Sequence, residues 1–239
     1  MPYDGALTLP RVLTWSEACG CLLARFAPDL EALRVGEPLA AEASDQRLAF
    51  VGDGLADAAE LRLAVDRPAD AKNFYRCVVQ LSRRRKTLMA SVWCNAPDDR
   101  GDTACAVGVE DALTTAGLAS RTRRDANATA RAQARYFESL TLPDRRLRER
   151  TAHCAMSLTL RGGEPLAFAI YVDGSLVEWD VGGGRTACAH RWYDALDAPA
   201  DDALRVSAVA HGPRAGRREP PFAAHLTAWR LAPAFREVG

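Results

Sequence analysis

Residues 165–179, reading Pro-Leu-Ala-Phe-Ala-Ile-Tyr-Val-Asp-Gly-Ser-Leu-Val-Glu-Trp, constrain the fold more than any other stretch of the chain. Leu166, Phe168, Ile170 and Val172 alternate with smaller or polar residues, the period of a strand with one buried face. Asp173-Gly174 supplies the positive-φ positions of a tight two-residue turn, and a second apolar run follows at once. A chain built around such a hairpin is antiparallel and β-rich.

The same texture recurs on both sides. Short alternating runs stand at 47–51, 60–65, 74–81, 87–94 and 103–109, and again at 154–160, 175–181, 185–192, 203–210 and 223–231. Strand-length runs separated by Asp, Pro and Gly predict an all-β antiparallel sandwich of jelly-roll type. With 239 residues, 48% of them hydrophobic, there is material for a single domain with one core. Residues 1–45 are expected to form a helical extension outside it. The basis is Thr14 three residues before Glu17, with Trp15, Ala18, Leu22, Leu23 and Phe26 at helical spacing, over 14–33 with a break at Pro28. Residues 110–150 are expected to be a helical or loop insertion, with nine arginines between Arg121 and Arg150. Arg83-Arg84-Arg85-Lys86 is expected to be the solvated tip of a hairpin.

The 31 basic residues balance the 31 acidic ones, so no overall field draws the chain to nucleic acid or an anionic membrane. No apolar run approaches the roughly 20 residues of a membrane span, and the first residues lack an export-signal pattern. The expectation is a soluble protein, cytoplasmic or within a viral or other intracellular assembly, open to homo- or hetero-oligomers. The seven cysteines are odd in number and scattered through apolar segments, which predicts mostly reduced core thiols.

Three stretches, taken in order, resemble a known family. They are His153 to Leu160 followed by Gly162-Gly163, the Tyr171-Val172-Asp173-Gly174 hairpin, and the closing runs Leu204 to Ala208 and Pro221 to Leu231, with Leu48 to Gly54 as an opening strand. Over residues 46–233 the chain is similar to the concanavalin A-like jelly rolls, especially their laminin-G-like members. The resemblance implies non-catalytic, lectin-like binding of a carbohydrate or protein through rim loops or a concave face.

Candidate ligand residues are Trp179, Trp192 and Tyr193 as stacking rings near strand ends, with Asp173 and Asp180 as polar partners; Trp93 and Trp229 are expected to fill the core. No catalytic residue is assigned. Glu178-Trp179-Asp180 is similar in spelling to the E-x-D-x-x-E strand of laminarinase-type glycoside hydrolases, yet Gly183 stands where the second glutamate belongs. Gly52 to Asp57 is similar to the G-D-G-x-x-D metal loop of haloacid dehalogenase phosphatases, but Tyr3-Asp4-Gly5 lacks the first aspartate of their nucleophile motif, which leaves a turn. His153, His190, His211 and His225 with Cys154 and Cys188 lack paired zinc-ligand spacing, and Asp173, Asp180, Asp201 and Asp202 spell no calcium loop. No cofactor is therefore expected, with calcium at a rim where these aspartates approach left open but unsupported by any motif. A structural subunit of a viral or cytoskeletal assembly is the second reading. A glycoside hydrolase is the third, to be revived by two carboxyl groups facing one cleft.

Overall fold

A computed structural model describes residues 8–43, 47–66, 75–84, 86–111, 154–174, 176–191, 202–211 and 223–232. Its strands are β1 (Arg11–Ser16), β2 (Cys21–Phe26), β3 (Arg34–Ala43), β4 (Arg47–Gly52), β5 (Ala58–Val65), β6 (Tyr75–Arg83), β7 (Lys86–Cys94), β8 (Thr103–Asp111), β9 (Cys154–Leu160), β10 (Leu166–Asp173), β11 (Leu176–Val181), β12 (Thr186–Arg191), β13 (Leu204–His211) and β14 (Ala224–Leu231). The fold is all-β. A 3-10 turn, Pro28–Leu33, is the one helical element among the described residues.

Two six-stranded antiparallel sheets face each other, in the orders β12-β11-β10-β5-β14-β3 and β4-β13-β6-β7-β8-β9, and β1 and β2 form a separate hairpin. The sheets meet through alternate residues. Leu61, Leu63, Phe168, Ile170, Val177 and Trp179 of the first sheet pack against Val79, Leu81, Leu88, Val92, Val107 and Leu204 of the second. The predicted runs fall on strands β4 to β14 because each had a buried face to advertise.

The hairpin of β10 and β11 pairs Asp173 with Leu176, so Asp173 closes the strand and Gly174, at φ 53°, takes the positive-φ position. At the β6–β7 tip, which meets Asp57 as Gly174 does, the expectation of a solvated arginine turn needs correction. Arg83 is 2% exposed. Its guanidinium donates to the Ala56 carbonyl at 2.5 Å, and Arg84 makes two 2.8 Å bonds to the Asp57 carboxylate. The Gly52–Asp57 turn is thus an anchor for arginine.

The expected N-terminal helix is absent. Residues 11–26 are a β-hairpin turning at Gly20 (φ 59°), and residues 34–43 add an edge strand to the first sheet. A helix would use its amides internally, whereas the extended segment spends one on the body: Ala24 N–H donates to the Gly184 carbonyl at 2.8 Å. The cysteine expectation is also corrected. Cys19 bonds Cys21 and Cys94 bonds Cys105, Cys188 is disulfide-bonded as well, and Cys77 is a free thiol whose burial raises its pKa to about 12. Cys94 and Cys105 are opposed residues of β7 and β8, a proximity that only strand register reveals. The arginine-rich insertion lies outside the described residues.

Candidate functional site

Strand parity places a row of polar groups on the outer face of the first sheet. Across β14, β5, β10 and β11 the register aligns Trp229, Glu60, Tyr171 and Glu178, and one step along it aligns Thr227, Arg62, Ala169 and Asp180. With strands about 4.8 Å apart, Glu60 and Glu178 stand about 10 Å from each other across Tyr171, and Glu178 and Asp180 about 6.6 Å apart along β11.

The N-terminal segment roofs this row. Phe26 lies against Tyr171 with ring centroids 4.4 Å apart, and Leu30, Leu231 and Ala169 complete a second, smaller apolar cluster. Beneath that roof Glu60 is 0%, Glu178 1% and Asp180 4% exposed. Each carboxylate is satisfied differently. Glu60 accepts from Arg34 at 2.7 and 2.8 Å and from Arg62 at 2.6 Å. Burial pushes its pKa up, but the two guanidiniums outweigh burial and hold it below the ordinary carboxylate value. Glu178 accepts from the Leu9 amide at 2.5 Å and from Arg11 at 3.2 Å. Among the described residues Asp180 accepts only from the Gly184 amide, at 2.5 Å. Burial dominates there and raises its pKa, against the pull of that amide and of Arg11, Arg62 and Arg25. Tyr171 is likewise raised, by burial first and then by the charge of Glu60.

Glycine decides how closely the roof approaches. At Gly184, φ 93°, a Cβ would stand 2.7 Å from Arg25 Cγ and 3.2 Å from Ala24 N, so β2 sits directly on this turn. Arg25 also donates to the Gly183 carbonyl at 2.9 Å. Gly183 thus serves the roof with its backbone.

Of the candidate ligand residues, Asp180 belongs to this row and Asp173 sits exposed at the far end of β10. Trp179 faces the other way: it is 0% exposed in the main core, so it offers no stacking surface. Trp192 and Tyr193 lie outside the described residues. Trp93 is buried at 4% exposure and Trp229 is half-buried, but both lie on outer faces and not between the sheets, beneath the guanidiniums of Arg76 at 5.1 Å and Arg34 at 4.1 Å. In β11 the parity was readable, with Val177, Trp179 and Val181 alternating against Glu178 and Asp180. Glu60, Arg62 and Tyr171 were missed although Glu60 and Arg62 alternate with Leu61 and Leu63. No group of three or more metal-ligating side chains occurs among the described residues.

No protein-family model matches the chain, and no curated protein matches it. Solved structures do. Fructan 1-exohydrolase IIa from Cichorium intybus matches at TM-score 0.55 and 12% identity, covering 95% of this chain and 41% of that one. A variant of that enzyme in complex with 1-kestose matches at TM-score 0.52 and 12% identity, over 94% of this chain and 40% of that one. A GH32 β-fructofuranosidase from Bombyx mori aligns at TM-score 0.44 and 12% identity, over 95% of this chain and 33% of that one. The chain therefore spans about two-fifths of the exohydrolase. The two exohydrolase alignments bear out the concanavalin A-like β-sandwich and leave the laminin-G-like refinement without support. They also overturn two expectations. A non-catalytic module or an assembly subunit was expected, and no enzyme; the two structures aligned at TM-score 0.55 and 0.52 are, by their titles, a fructan 1-exohydrolase and its variant.

Proposed function

We propose that this chain is the β-sandwich of a glycoside hydrolase acting on fructose-containing saccharides. The observation that carries the reading is the alignment of nearly the whole chain with part of a fructan exohydrolase, at TM-score 0.55. Cleaving a glycosidic bond takes a carboxylic acid to protonate the leaving oxygen and a carboxylate as nucleophile or base, both open to one cleft. Glu178 and Asp180 do face one side of one strand, but the docked hairpin covers them. In this state Glu178 anchors the roof through Leu9 and Arg11 while Asp180 holds the Gly184 turn on which β2 sits, so the bond-breaking acid and base are to be sought elsewhere than in this pair.

The disulfides support work in an oxidising compartment, in place of the intracellular setting expected from sequence.

The test is release of fructose from sucrose and from 1-kestose by the full protein. Sugar release by wild type that persists in Asp180→Asn is the expected result. Loss of turnover in Asp180→Asn with an unchanged melting temperature would move the acid to the carboxylate row. Release from neither substrate would overturn the reading.

A further inference from the structure

The two disulfides whose partners are described have different surroundings. Cys94 and Cys105, at 0% and 4% exposure, are buried between the sheets. Cys19 and Cys21 are half-buried at the hairpin tip, flanked by exposed Glu17, Ala18, Gly20 and Leu22. Exchange requires a thiolate to reach a bridging sulfur, which the tip allows and the core does not.

The tip bridge contributes little to holding the hairpin together. It encloses a single residue, Gly20, and the chain entropy a bridge removes grows with the logarithm of its loop, so so short a ring gains least. The ladder from Arg11 opposite Phe26 to Ser16 opposite Cys21 already sets the register. What the bridge fixes is the shape of the turn. Within that turn the Ala18 carbonyl accepts from the Arg161 guanidinium, which also pairs with Asp102 at 3.2 Å. This contact pins one end of the hairpin to the body, while Leu9 and Arg11 on Glu178, and Ala24 and Arg25 on the Gly183-Gly184 turn, pin the other.

We propose that Cys19–Cys21 is an exchangeable disulfide, reduced and re-formed by a dithiol–disulfide partner, and that its state sets how firmly the N-terminal hairpin is held over the carboxylate row. In the reducing direction a partner thiolate attacks one bridging sulfur. The S–S bond breaks, a mixed disulfide forms, and the other cysteine leaves as a thiolate that takes up a proton. The second thiol of the partner then displaces the first cysteine. Two electrons and two protons pass to the bridge, and the dithiol leaves as a disulfide. An oxidised dithiol runs the sequence backwards. The inference concerns the hairpin alone and stands apart from the hydrolase reading.

The test uses the full chain isolated without reductant, exposed to graded dithiothreitol, alkylated and mapped by mass spectrometry, with tryptic cleavage after Arg25 followed in parallel. Cys19 and Cys21 should alkylate at a dithiothreitol concentration about tenfold below that needed for Cys94 and Cys105. Cleavage after Arg25 should rise about fivefold in step with their reduction, as a locally opened segment becomes accessible. The Cys19→Ser/Cys21→Ser variant should show the raised cleavage without reductant. Free thiols at Cys19 and Cys21 in the unreduced protein, simultaneous reduction of both bridges, or cleavage indifferent to the bridge would each overturn the proposal.

Discussion

The two faces of strands β10 and β11 differ in how they hold their neighbours. The inward face, with Phe168, Ile170, Val177 and Trp179, packs apolar surface against the opposite sheet. The outward face, with Tyr171, Glu178 and Asp180, is covered by a roof fixed largely through directed bonds to Glu178 and the Gly183-Gly184 turn. Apolar burial depends on volume and tolerates repacking, whereas a buried carboxylate depends on a particular donor arriving at a particular place. The same sheet thus carries one face that any well-filled core would satisfy and one that only this roof completes.

The largest effect should come from the inward face. Trp179→Ala leaves a cavity in the main core and should cost about 3–5 kcal/mol in urea unfolding; a loss under about 1 kcal/mol would mean that the two faces are not as different as described. Glu60→Gln comes next. It leaves Arg34 and Arg62 without their shared charge, and should cost about 2–3 kcal/mol, discounted because Arg62 is partly exposed to water. Gly184→Ala should act on the roof more than on the body. Its Cβ would collide with β2, so tryptic cleavage after Arg25 should rise while the main unfolding transition falls by about 1–2 kcal/mol.

The smallest effect sharpens the contrast within the outer face itself. Because the pKa of Glu60 is lowered, its contribution is present at neutral pH and is lost as pH falls through its folded value, below the ordinary carboxylate range. Because that of Asp180 is raised, its ionised form opposes folding, and stability is gained as pH falls through its folded value, above the ordinary range. Mild acidification should therefore raise the melting temperature slightly before stronger acid lowers it. Asp180→Asn should remove the rise and keep the fall; a rise that survives in the variant would assign it to another group.

Strands β4 to β14 were legible because they carry the two-residue hydrophobic period of a half-buried strand, whereas the edge strand β3, mostly exposed, carries none. The N-terminal segment misled because Thr14, Glu17, Trp15, Leu22 and Phe26 satisfy a helical pattern equally well. Its true partners, Glu178 and the Gly183-Gly184 turn, lie more than 150 residues away in the chain. Local spacing holds no information about them. The tryptophans show the same limit more sharply. Side-chain type alone suggested that Trp179 is surface, while its parity with Val177 and Val181 puts it in the core; Trp93 is buried as expected, but on the outer face of its sheet.

By itself the sequence determined that this chain pairs antiparallel strands and stacks them, since the alternation of apolar residues is a local property that folding must honour. Which strands lie side by side, which carboxylates are buried, and which cysteines meet were decided only in the tertiary structure. Those outcomes depend on contacts between residues far apart in the chain, where the energy comes from the partner and not from the residue.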